Sequence, residues 1–292
     1  MAFGVERMFL KKYIRILPII WTPLWLALQA PASESPTAGL IHKVIENQKK
    51  NRRLQTSYIF EMNLQVYKLE KDGKQTIFRD RAFEIVPLES GDYHKLIRKD
   101  GKPLPEKELQ KEQEKLAINA TRQANLSTSQ KAKLEKERQA RLKKEDQAWN
   151  DVMKAFDITL DGQDHLEGRP VTILSFTPRS GYVPSGEETR LLKQIKGKAW
   201  IDDEDFQIVR LDAEMVEDLK FGGGFLAKIK KGGTLSFFQR KINQEVWFPF
   251  RSESYLNARI LLVKGFNLKV VNEFANYRKY ETSVKITPVS EP

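Results

Sequence analysis

The chain has no cysteine among its 292 residues. That excludes disulfides, thiolate zinc sites, iron–sulfur clusters, a cysteine nucleophile and an N-terminal lipidated cysteine. Histidine is nearly as scarce: His42, His94 and His165 are the only three, far apart in sequence, which argues against most metalloenzymes. No stretch beyond the first thirty residues has the ~20 consecutive apolar residues of a spanning helix, which excludes a multi-pass helical membrane protein. The sequence also lacks a Gly-x-Ser-x-Gly elbow, a His-Glu-x-x-His helix and a Gly-x-Gly-x-x-Gly loop. Gly222-Gly223-Gly224 has no P-loop lysine and serine after it and reads as a hairpin turn or bulge. Asp202-Asp203-Glu204-Asp205 is too tight for a calcium loop, which spaces its ligands around a glycine, and reads as a solvated turn. His165 reads as a lone surface histidine in a turn, and Trp200 and Trp247 read as core. No catalytic constellation assembles, so the expectation is no enzyme, no cofactor and no metal.

What is present is ample apolar material with a basic balance. Hydrophobic residues make up 40% and charged residues 30%, with a formal charge of +11; this is enough for a core and too apolar for a disordered chain. Arg7, Lys11, Lys12 and Arg15 front a short apolar run from Ile16 to Leu28, followed by Ala30-Pro31-Ala32. Basic front, short core and small-residue site together predict a signal peptide over 1–32, removed before Ser33. Its removal takes away four bases and one acid and leaves +8. The alternative is an uncleaved N-terminal membrane anchor. A secreted chain without cysteine suggests a bacterial envelope, so the expected location is periplasmic or secreted.

Ser33 to Gly39 reads as a Pro- and Ser-rich linker. Leu40, Ile41, Val44 and Ile45 recur at helical spacing and predict an amphipathic helix to about Arg53. The period then changes to two. Tyr58, Phe60, Met62, Leu64 and Val66 alternate with polar residues, and Asp72-Gly73 turns the chain into an antiparallel partner ending near Pro87. From about 105 to 150 the chain is rich in Lys, Glu, Gln, Arg and Ala, with neither Gly nor Pro between Glu106 and Asp161. That predicts a charged helical insertion, broken near Asn125 to Ser129, with Ser127 or Ser129 as the N-cap. Its basic excess suits a nucleic-acid or anionic-membrane patch; its Glu and Lys at i, i+4 suit a solvated arm. From Phe156 onward long strands alternate with turns, save a short polar helix expected over Ser185 to Gln194. The fold class expected is mainly β (α+β): one domain over 40–287, a strongly curved antiparallel sheet with helices on its concave face.

Gly197-Lys198-Ala199-Trp200-Ile201-Asp202 followed by Phe206-Gln207-Ile208-Val209-Arg210-Leu211 resembles a hairpin of the LolA-like outer-membrane lipoprotein-sorting proteins. Val246-Trp247-Phe248-Pro249 and Asn276-Tyr277-Arg278-Lys279-Tyr280 are similar to that family's C-terminal pattern. The charged insertion departs from the pattern. The resemblance implies a half-open barrel whose apolar interior accepts acyl chains or an apolar segment of a partner. The lining would come from Phe60, Met62, Leu64, Leu211, Ala213, Met215, Phe266, Leu268 and Val270, which equally suit an ordinary core. Expected partners are hydrophobic cargo (acyl chains or a lipoprotein) or an envelope protein, with peripheral membrane contact, no nucleic acid, and a monomeric state. Three functions stay open: a carrier or chaperone for lipidated cargo, a sensory or protein-interaction module of the same fold, and an enzyme acting on envelope lipid or polysaccharide.

Overall fold

The computed structural model describes residues 36–88, 91–186, 189–221, 227–260 and 265–280. The segment read as a signal peptide and the Gly222-Gly223-Gly224 triplet lie outside them. Three helices are described: α1 over Pro36–Gln55, α2 over Glu106–Ala124 and α3 over Thr128–Ala155. None among the described residues is long and apolar enough to cross a membrane. Pro36 to Gly39, expected as linker, form the first turn of α1. Proline tolerates a first helical turn, where its missing N–H has no intrahelical partner to lose. The break between α2 and α3 falls where expected. Ser127 caps α3 by accepting from the Gln130 N–H at 3.3 Å, while the Gln130 side chain accepts from the Ser127 N–H at 2.9 Å.

Among the described residues thirteen strands follow one another as β1 Tyr58–Leu69, β2 Gln75–Val86, β3 Tyr93–Lys99, β4 Lys102–Pro103, β5 Phe156–Leu166, β6 Arg169–Pro178, β7 Ile195–Asp202, β8 Ile208–Met215, β9 Leu219–Phe221, β10 Ala227–Ile229, β11 Thr234–Ile242, β12 Val246–Ile260 and β13 Phe266–Lys279. They form one antiparallel sheet in the order β4-β3-β2-β1-β13-β12-β11-β8-β7-β6-β5, with β10 pairing β12 and β9. The Asp72-Gly73 turn is made as expected: Gly73 has φ +85° and the Asp72 carboxylate accepts from the Lys74 N–H at 3.0 Å. Among the described residues the sheet does not close. β4 and β5 are its two free ends, and α2 and α3 form the connection that carries the chain from one to the other.

The principal core lies under α1 and the end of α3. Ile41, Val44 and Ile45 from α1 meet Trp149, Val152, Met153 and Ala155 from α3 over Leu174, Ala199, Ile201, Leu211 and Met215 of β6 to β8. The expectation that the insertion as a whole packs the concave face needs correcting. Among its described residues, burial is confined to Ala148 and beyond at the end of α3, which continues to Ala155. The rest of α2 and α3 is largely exposed, because their apolar residues are too sparse to form a stripe. Among the described residues between Ser185 and Gln194, the helical structure is a 3₁₀ turn, Arg190–Gln194.

Candidate functional site

Strand register shows which side chains share a face, because directly paired residues point the same way. One row runs Leu211, Phe237, Ser252, Asn272, Leu64 and Arg81 across β8, β11, β12, β13, β1 and β2. The next row runs Ala213, Leu235, Ser254, Val270, Val66 and Arg79. Leu211 and Ala213 belong to the helix-covered core, so this is the inner face. By the same alternation, Phe60, Met62, Met215, Phe266 and Leu268 point inward too. All nine residues expected as lining therefore share one face of one sheet.

They do not share one environment. Leu211, Ala213 and Met215 are packed into the core under α1 and α3. Leu64 and Val270 belong to a separate cluster with Val66, against which Phe83 and Leu268 are packed, both part-buried. Met62 is buried, whereas Phe266 is part-buried with the Lys68 ammonium 5.3 Å from its ring centre. Phe60 joins an aromatic group at one end, its ring centre 5.3 Å from Phe248 and 5.9 Å from Tyr277. Sequence reasoning missed Arg79 and Arg81. The signal was available: in β2 they have the parity of Phe83 and Ile85.

The opposite face carries the acids. A shallow cleft of about 460 Å³ lies there across β11 and β12, lined by Thr234, Ser236, Phe238, Phe250, Arg251, Glu253 and Tyr255. Its charges are matched internally: Glu253 meets Arg251 at 2.7 Å and Lys269 at 2.9 Å. Burial alone would raise the Glu253 carboxyl, but hydrogen bonds from Tyr255, Lys269 and Arg251 outweigh it and hold the group at about 2.

The four-acid turn is a structural anchor, correcting the expectation of a solvated loop. Asp202 is fully buried. Its carboxylate takes the Arg169 guanidinium at 2.5 and 2.9 Å and the Asp205 N–H at 2.7 Å. Asp205 in turn accepts from the Trp247 indole at 2.9 Å and pairs with Lys241 at 2.7 Å. Asn51 of α1 clamps the Trp247 backbone, its amide donating to the carbonyl at 2.8 Å and its oxygen accepting from the N–H at 2.7 Å. Asp151 is also buried and occupied. Desolvation pushes its pKa up, yet hydrogen bonds from Ser185 and Tyr182 bring it below the ordinary carboxylate value. Among the described residues no three His, Asp or Glu side chains gather as a metal site.

No family model matches the chain, and no curated protein matches it. Solved structures do. A domain from Vibrio parahaemolyticus, described as outer membrane lipoprotein-sorting, aligns over 82% of this chain and 93% of its own, at 9% identity and TM-score 0.35. A LolA superfamily protein from Nitrosomonas europaea aligns over 82% and 93%, at 9% identity and TM-score 0.34. The MucA/MucB complex of Pseudomonas aeruginosa contributes a chain aligned over 82% and 99%, at 10% identity and TM-score 0.20. The family that the Trp-Ile-Asp hairpin resembles is thus met again among solved structures. Superpositions this loose assign no function.

Proposed function

We propose that the protein is a non-catalytic carrier of the cell envelope that binds hydrophobic cargo, an acyl chain or the lipid part of a lipoprotein, on the inner face of its sheet. One observation carries this reading: the sheet does not close, and its apolar inner face continues past the helix-covered core to Leu64, Val66, Val270, Phe83 and Leu268. Each methylene moved from water to such a surface contributes about 0.8 kcal/mol, so an acyl chain needs little polar chemistry to be held. The acidic turn and buried Asp151 are committed to structural contacts, and the carrier asks nothing of them. The periplasmic location rests on the basic, apolar and Ala-x-Ala features of 1–32, and one domain over 40–287 suits a single sheet in which β13 returns to pair with β1.

A second reading, a sensory or protein-interaction module, draws on a different fact. Leu64, Val66 and Val270 are themselves buried, as side chains of a filled interior would be. A fluorescent fatty-acid probe separates the two. The wild-type protein should bind it, and Leu268→Glu should fold but lose it, since a carboxylate at a part-open position stays hydrated until an acyl chain arrives. Leu211→Glu should not fold, because its charge lies in the closed core. A wild-type protein that never binds the probe would leave the interaction module.

A further inference from the structure

Among the described residues, the inner face of the half beyond the helix-covered core has cations and no acids. Within β12, β13, β1 and β2 the acids are Glu253, Glu273, Glu61, Asp80 and Glu84, and the register puts each on the outer face. Glu253 pairs across to Val271, which pairs to Gln65 and so to Asp80; Glu273 opposes Asn63, and Glu61 opposes Glu84. There they meet their partners: Asp80 with Arg98 at 3.3 Å, Glu84 with Lys95 at 2.5 Å, Glu273 with Arg251 at 2.6 Å. Inside, Arg79 lies opposite Val66, and Arg81 lies opposite both Leu64 and Lys99. The Arg81 Nε is buried and has no hydrogen-bond partner, and among the described residues Arg81 makes no ion pair. A guanidinium next to an apolar strip, one nitrogen desolvated and unanswered, is an incomplete anion site.

Resting on the carrier reading, we propose that the cargo is an acyl lipid with an anionic phosphate head, its chain over the part-buried Phe83 and Leu268, which pack on Leu64, Val66 and Val270, and its phosphate on Arg81, beside Lys99. Phosphate is favoured over carboxylate because the two cations Arg81 and Lys99, paired across β2 and β3, exceed a single carboxylate charge, and a phosphate offers more oxygens to a forked donor.

The test displaces a fluorescent fatty-acid probe with three twelve-carbon ligands: dodecyl phosphate, dodecanoate and dodecanol. In the wild-type protein dodecyl phosphate should bind roughly ten- to a hundredfold tighter than dodecanol, the value of a charge-assisted hydrogen bond. Arg81→Gln should abolish that preference and leave dodecanol binding unchanged, Arg81→Lys should keep part of it, and Arg210→Gln on the outer face should keep all of it. Equal binding of phosphate and alcohol by the wild type, which needs no variant to fold, would overturn the phosphate head while leaving the carrier intact. So would a preference that survives Arg81→Gln. Dodecanoate binding as tightly as dodecyl phosphate would overturn the choice of head. If none of the three binds, the carrier reading itself fails.

Discussion

A single hydrogen at position 197 lets β7 lie against β8. A Cβ there would stand 2.0 Å from the Asp212 carbonyl oxygen and 2.8 Å from the Phe176 ring. Gly197→Ala must therefore push two strands apart, at an expected cost of about 1–3 kcal/mol, read as a fall of several degrees in the thermal midpoint. Gly39 has open space at the same position and lies inside α1, so Gly39→Ala should stabilise by about 0.5–1 kcal/mol. An unchanged midpoint for Gly197→Ala would contradict the β7–β8 register. Glu253 offers a test in pH. Its carboxyl is held at about 2, below its ordinary value near 4.5, so its contribution is fully present above about 4.5 and is lost as pH falls towards 2, amounting to at most about 3 kcal/mol. Glu253→Gln should lower the midpoint at neutral pH and flatten its decline between about 4.5 and 2; an unaltered acid profile would contradict the charge cluster on β12.

Elements were legible where their period was strong. The alternation in β1, β8 and β13 located those strands, and the side chains it grouped share one face of the sheet, because side-chain parity in a strand is a local property. The N-cap of α3 was legible to one of two serines, Ser127 or Ser129, for the same reason, a cap being decided within three residues. What was not legible depends on distance. Which half of the inner face lies under helices follows from β13 returning to β1 and β11 to β8, pairings between residues far apart in the chain. Asp202 looks solvated among three other acids until Arg169, 33 residues away, is brought against it. The helical insertion shows the same limit: composition identified it, but only the sheet order reveals that it joins the two free ends. Its exposure makes a prediction. Replacing 106–145 with a Gly-Ser linker of equal length should shift the midpoint by only a few degrees, since little apolar area is lost. Loss of cooperative unfolding would mean that the arm is needed to cover the sheet.

Taken as a whole, the molecule divides its work between two halves of one sheet. The half from β5 to β8 is closed by α1 and the end of α3 and supplies the principal core. Asn51, Trp247, Asp205 and Arg169 lock α1 to the turns at one end of that half. The half from β1 to β3 with β13 keeps its acids outside and sets Arg79 and Arg81 beside Leu64, Val66 and Val270 inside, an arrangement suited to an amphiphile. Whether cargo meets this inner face is the question on which the function turns. A benzophenone amino acid placed at Leu268 on the inner face, or at Tyr255 on the exposed outer face, can be irradiated in protein loaded with dodecyl phosphate and the adducts weighed by mass spectrometry. The carrier account predicts an acyl adduct from position 268 and none from position 255. Adducts from position 255 alone, or from neither position, would contradict it.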